Sequence, residues 1–224
     1  MNNLDRPVWA SLTHAPHLAE GGDAAKRFRR DVNLFASACD DSLSSLAALR
    51  ELVLGRESIF VLQVPTIHIP KGLTAARLAQ GVQMLATRPI APRTGDRSIV
   101  ELGDTDAPEM LALAQLTEPG PFLPRTHTMG RFIGVRINGR LAAMAGERMR
   151  FPGFTEVSGV CTHPDFRGQG LARTLSSVVA NAIQQRGEQP FLHAWTTNHA
   201  AIALYESMGF ELRAAVQVAV LAQG

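Results

Sequence analysis

The chain is poor in residues that would mark several common protein classes. Of its 224 residues only two are cysteine, two tryptophan and one tyrosine. Cys39 and Cys161 cannot build a disulfide framework or a cysteine-based zinc site, so no metal is expected. Cys161 sits in an apolar run and reads as a small buried thiol. There is also no excess charge of one sign. The net charge is +2, with 11 basic and 9 acidic side chains in residues 1–96 and 11 of each in residues 97–224. Neither part carries the basic footprint of a nucleic-acid-binding module. All basic residues but Lys26 and Lys71 are arginine, which reads as composition bias. No apolar run approaches the ~18 residues of a membrane helix, so no membrane partner is expected. The first residues include Asp5 and Arg6 and lack the apolar run of a signal peptide. A cytoplasmic, reduced setting is the expectation, with monomer and homodimer both open.

What remains is an ordinary globular composition, 46% hydrophobic and 19% charged, long enough for one large domain or two small ones. Residues 1–96 read as an α/β subdomain. Asp40-Asp41-Ser42 precede Leu43, Leu46, Leu49, Leu52 and Val53, a helix start followed by near-3.6 spacing. Ser58–Val64 is a β-rich run ended by Pro65. Thr74, with Leu78, Val82 and Leu85 beyond it, predicts a second helix. Residues 88–98 contain Pro89, Pro92 and Gly95 among charges and read as a linker, with the boundary near residue 96.

Residues 97–224 are more clearly punctuated. Val100-Glu101-Leu102 leads into a helix after Pro108. Residues 117–130 read as an ordered loop. Arg131–Ile137 and Leu141–Met149 flank Asn138-Gly139, a strong hairpin signal. Glu156–Thr162 reads as a strand, and about Leu171 to Arg186 as a helix with Leu171, Leu175, Val178 and Ala182 on one stripe. Phe191–Trp195 is the next strand. This strand–helix–strand order places its two strands parallel. A helix over about His199–Met208 and a strand over Phe210–Val220 complete the pattern.

The chemistry-bearing feature is Arg167-Gly168-Gln169-Gly170-Leu171-Ala172, after a strand and at a helix start. Unpaired N–H groups at a helix N-terminus bind phosphate. The two glycines let the backbone wrap an anion, and Arg167 adds a cation. The turn lacks the end of a P-loop and the third glycine of a dinucleotide fingerprint. Taken alone, it fits equally a βα connection whose glycines serve packing.

With its flanks, Val160-Cys161-Thr162-His163-Pro164 before and Asn198 with Ala203–Phe210 after, the segment resembles the GNAT superfamily of acetyl-CoA-dependent N-acetyltransferases. The resemblance covers roughly residues 97–224 and looks closest to the glycine N-acyltransferase-like branch. It implies a mixed, mostly antiparallel α/β (α+β) fold with a parallel βαβ splay at the cofactor cleft. Residues 1–96 loosely resemble a degenerate acetyltransferase half. The resemblance further implies acetyl-CoA as co-substrate, its pantetheine beside Val160, Cys161 and Thr162. The pyrophosphate would lie on the amides of Arg167, Gly168, Gln169, Gly170, Leu171 and Ala172. Asn198 would cap its helix, touch the cofactor, or both.

The implied reaction is direct attack of a primary amine, on a small molecule or peptide, on the thioester. Tyr205 would protonate the leaving thiolate, and Glu156 is the base candidate, with Glu147 or water as alternatives. His193 reads as a satisfied buried histidine. The loop 117–130 would wall the acceptor site, which nominates Phe122, Arg125, Thr126 and His127. The rival to an enzyme is a non-catalytic acyl-CoA-binding or sensor protein on the same fold.

Overall fold

The computed structural model describes residues 2–93, 95 and 97–224; Asp96, where the sequence sets the boundary, lies outside the described residues. Its frame is an eight-stranded sheet and a small three-stranded one. The small sheet comprises β1 (Ala19–Gly21), β2 (Ala25–Phe28) and β3 (Ala36–Ala38). The large sheet is built from β4 (Ser58–Gln63), β5 (Leu73–Ala86), β6 (Ile99–Leu102), β7 (Phe132–Ile137), β8 (Arg140–Phe151), β9 (Phe154–Thr162), β10 (Gln189–Trp195) and β11 (Phe210–Gln223). Its order is β4-β11-β5-β10-β9-β8-β7-β6. Every neighbouring pair is antiparallel except β9–β10. The mixed sheet with one parallel splay is the expected fold class.

The segment over residues 74–85 is not a helix. Leu78, Val82 and Leu85 match helical spacing, but they lie in β5, whose two edges hydrogen-bond to β10 and β11. Two neighbouring strands outweigh local periodicity. As a result, strands from before and after residue 96 share one sheet. The Pro-containing stretch after β5 is strapped to helix α4 (Leu171–Gln185). Ile90 N–H donates to Gln184 Oε1 at 2.8 Å, Asn181 Nδ2 donates to Ile90 O at 3.0 Å, and Arg93 N–H donates to Ser177 Oγ at 2.8 Å.

Helices cover both faces of the large sheet. On one face α4 buries Leu171, Leu175, Val179 and Ile183 against Ile133, Val135, Ala143 and Ala145, and α5 (His199–Met208) adds Tyr205. The buried stripe of α4 thus runs through Val179 and Ile183, leaving Val178 and Ala182 half-buried. On the other face α1 (Pro7–His14) packs Val8 and Leu12 with Phe28 and Phe35 against Met149, Phe151, Phe191 and Val218. Helix α2 (Leu43–Glu51) begins where the sequence placed it, with Ser42 Oγ accepting from Ser45 N–H at 3.2 Å. Helix α3 (Ala107–Thr117) sets Met110 and Leu113 against Phe132, Met144 and Cys161. Among the described residues no helix is long and apolar enough to cross a membrane, and no cluster of His, Cys, Asp and Glu could hold a metal.

Candidate active site

The parallel pairing of β9 and β10 stops at Glu156–Phe191. Beyond it β9 runs on to Thr162 and β10 to Trp195 without pairing to each other. A cavity of about 720 Å³ occupies this splay. Its lining includes Val157, Leu171 and Tyr205 from the α4/α5 core, and Phe35, Leu62 and Val218 from the α1 core. The cavity therefore passes through the sheet where the strands part.

At one end lies the glycine turn. Gly168 and Gly170 have φ of 77° and 73°, and a Cβ on either would meet nothing within 4 Å. Backbone conformation, not close packing, requires glycine at both positions. Gly170 is the N-cap of α4, and no side chain caps this end. The first N–H groups of a 15-residue helix are thus left to an anion, with Arg167 beside them. Asn198 accepts from Ala201 N–H at 3.2 Å through its side chain, capping α5 while lining the cavity.

Along the splay, the β10-facing edge of β9 is unpaired and open to an extended chain. Val160, Cys161 and Thr162 all line it. Thr162 Oγ1 is buried without a hydrogen-bond partner among the described residues, a polar vacancy that a ligand amide would satisfy. Gly159 bulges from β9 at φ 62°, where the register to β8 shifts. Burial pushes the Cys161 thiol up to about 12, so it is inert as a nucleophile. Tyr205 is buried against Phe210 with its ring at the cavity. Burial raises its phenol to about 12, against a smaller lowering contact from Ser176. It is therefore protonated at neutral pH.

Glu156 is fully buried and both carboxylate oxygens are taken. Arg148 Nε donates to Oε2 at 2.8 Å and Nη2 to Oε1 at 2.6 Å. His193 Nδ1 lies 2.7 Å from Oε1. The His193 tautomer follows from its other neighbour. Gln83 Oε1 accepts from Arg213 Nη1 at 2.8 Å, so Gln83 Nε2 is the donor facing His193 Nε2 at 3.0 Å. The ring proton then sits on Nδ1 and points at Glu156. Burial pushes the Glu156 carboxyl up, but the Arg148 charge and hydrogen bonds, with the hydrogen bond from His193, outweigh it and hold the group at about 2. Glu147 faces Arg186 at 2.9 Å instead of the cavity.

The acceptor-loop residues expected from sequence lie elsewhere. Thr126 is buried, donates to Val32 O at 2.6 Å and accepts from Leu123 N–H at 2.7 Å, pinning the loop to the N-terminal segment. Arg125 sits by Asp31 at 3.8 Å. Phe122 stacks edge-on to Phe132, and His127 pairs with Asp104 at 2.7 Å. It is residues 117–121 of that loop that line the cavity. Sequence reasoning missed Arg148, Phe35, Phe60 and Gly81 as lining residues. Arg148 stands among Glu147 and Arg150 near the end of β8, and nothing local in the sequence set it apart from them.

The family model described as FR47-like protein matches residues 132–219, the segment from β7 into β11. A solved structure from Novosphingobium aromaticivorans, assigned to the GNAT family as an acetyltransferase, is 42% identical to this chain over 100% of both, with a TM-score of 0.93. The chain belongs to the GNAT family of acetyltransferases. The curated [ribosomal protein bS18]-alanine N-acetyltransferase of Escherichia coli K12 is 30% identical over 119 residues, covering 50% of this chain and 80% of that protein. A GCN5-related N-acetyltransferase from Kribbella flavida shares the fold, with a TM-score of 0.67 over 100% of this chain and 97% of that one at 17% identity. GNAT enzymes draw their acetyl group from acetyl-CoA. The uncapped α4 end, the open β9 edge and the unpartnered Thr162 hydroxyl fit that co-substrate in turn.

Proposed function

We propose that this GNAT enzyme moves an acetyl group from acetyl-CoA to a primary amine of a small molecule or peptide, by direct attack of the amine on the thioester. The observation that carries the reading is the single cavity through the splayed sheet. It runs from the uncapped end of α4 past Tyr205 to the apolar side chains of Phe35, Leu62 and Val218. When bound, acetyl-CoA supplies the electrophilic carbonyl.

Within that reading Arg167 and the amides from Gly168 to Ala172 hold the pyrophosphate. Val160 and Thr162 align the pantetheine, and the backbone of β9 near the Gly159 bulge supplies an N–H for the developing oxyanion. Tyr205, neutral at working pH, donates its proton to the departing thiolate. Glu156 is ionised but weakly basic, with both oxygens occupied. We assign it the holding of Arg148 and His193, and we assign removal of the ammonium proton to water in the cavity. The glycine N-acyltransferase-like branch rests on the motif residues alone. The name of the Escherichia coli relative keeps a peptide amine within the acceptor class.

The test pairs a thermal shift with coenzyme A and thiol release from acetyl-CoA over an amine panel. A shift with turnover is expected. A shift without turnover of any amine favours the non-catalytic binder. Tyr205→Phe keeps the ring and removes the donor, and is expected to cost about 10²–10⁴ in kcat where thioester cleavage limits the rate. A loss under about threefold would pass the proton to water, since a true general acid is worth far more.

A further inference from the structure

The cavity's two ends differ in chemistry. The end at α4 presents unpaired amides and cations. The end on the α1 face is walled by Phe35, Phe60, Leu62, Trp195, Val216 and Val218. These side chains come largely from the segment before residue 96 and from β11. Phe35 and Phe60 stack edge-on at 6.0 Å and make a fixed aromatic wall. Gly81 keeps the floor low, since a Cβ there would press on Ala194 O at 2.8 Å and Val216 Cγ2 at 3.1 Å.

Arg148 and His193, which line the cavity, are both turned to Glu156. Glu156 is fully buried behind them and does not line the cavity, so it is not offered to a cationic tail. Arg148 is different. Its Nε and Nη2 edge grips Glu156, and its guanidinium lies 4.9 Å over the Phe35 ring. The side chain is 10% exposed. Its remaining nitrogen, Nη1, makes no hydrogen bond among the described residues and lies beside the Gly120 loop that lines the same cavity. Nη1 itself is not buried, so this spare pair of N–H donors reaches open space, where an acceptor oxygen of a ligand can take the place of water.

Building on the acetyltransferase reading, we infer that the acceptor is an amine with an apolar, aromatic-sized side group and a carbonyl or carboxylate oxygen next to the amine. The side group fills the Phe35/Phe60 chamber and Arg148 Nη1 donates to the oxygen. A free apolar amino acid and the amino-terminal residue of a peptide share this chemistry. Glu118, an exposed carboxylate on the loop that lines the cavity, is the group a second positive charge would meet, so a polyamine is the competing acceptor that the experiment must exclude.

The experiment measures kcat/KM of the full-length protein with phenylalanine, phenylalaninamide, a tripeptide beginning with phenylalanine, phenethylamine, glycinamide and spermidine. Coenzyme A binding is followed separately by calorimetry. Phenylalaninamide is expected to exceed both phenethylamine, which lacks the oxygen, and glycinamide, which lacks the side group, by about tenfold or more, the worth of one charge-assisted hydrogen bond or one buried ring. Phenylalanine against the tripeptide separates the free amino acid from the peptide end. Arg148→Lys keeps a cation for Glu156 and removes the spare fork. It is expected to lower kcat/KM for phenylalaninamide by about tenfold while phenethylamine changes by less than about threefold. Phe60→Ala, at a half-buried wall position, is expected to erase the advantage over glycinamide. Equal loss on both amines in Arg148→Lys overturns the oxygen contact. Preference for spermidine or glycinamide, or no turnover of any apolar amine while coenzyme A binds, overturns the acceptor class. Failure of coenzyme A to bind overturns the acetyltransferase reading itself.

Discussion

A buried carboxylate gripped by arginine behaves differently from a catalytic base, and the difference is measurable. Glu156 sits at about 2 in the folded protein against an ordinary value of 4.5. The folded state therefore binds fewer protons than the unfolded chain between these values. The contribution of Glu156 to stability is complete above about pH 4.5 and drains as pH falls toward 2. Glu156→Gln is expected to lower the melting temperature at neutral pH and to flatten the acid dependence of stability below pH 4.5, read by calorimetric scans across pH. If Glu156 only positions its neighbours, the pH profile of kcat/KM keeps its limbs and changes in height. A displaced acidic limb would restore the base role to Glu156. Removing the other partner is harsher: Arg148→Ala strands a buried charge and is expected to cost about 3–5 kcal/mol by denaturant titration.

At the scale of elements, the turn into α4 and the splay of β9 from β10 form the end of the cavity that we propose for the co-substrate; the turn was legible in the residues themselves, and the splay came with the family resemblance. Arg167-Gly168-Gln169-Gly170 follows a strand and opens an amphipathic helix, so position and chemistry agree. Gly170→Glu puts a carboxylate into an open nest with a left-handed backbone. It is expected to weaken coenzyme A binding by at least about tenfold, from charge repulsion at a helix end and loss of the cradle together. Calorimetric titration reads this, and circular dichroism confirms that the variant is folded. Unchanged affinity would move the phosphate site elsewhere. The aromatic end of the cavity, where we place the acceptor, was not legible. Phe35, Phe60 and Gly81 carry no motif and come to line one cavity with Arg148 only through contacts distant in sequence. The 74–85 segment was misread for the same reason: Leu78, Val82 and Leu85 satisfy a helical stripe, while the pairing of β5 on both edges is invisible to a local window. In the 117–130 loop, Thr126 was nominated because the family resemblance puts the acceptor wall in that segment; its hydroxyl bonds backbone on both sides.

At the scale of the molecule, the segment before residue 96 is a structural partner of the rest. It supplies β4 and β5 to the large sheet and the aromatic wall of the cavity. Asp5 Oδ1 accepts from Arg213 Nη2 at 2.5 Å, and Arg213 in turn orients Gln83. The full protein is expected to melt in one transition by differential scanning calorimetry. A 97–224 fragment would leave β10 and β11 with open edges where β5 had been, and open edges aggregate. It is expected to elute as aggregate in size-exclusion chromatography; a soluble, active monomer would show that the N-terminal segment is dispensable. The same sheet order has a consequence for biosynthesis. Among the strands of the large sheet β4 and β5 come first along the chain, yet β11, the strand that lies between them, follows all the others. Until it arrives, β5 has an unclosed flank and β4 has no partner in the large sheet, so closure cannot proceed hand in hand with elongation. The nascent chain must shelter two early strands through most of its own translation. This places its folding among the slow, long-range cases that lean on chaperones.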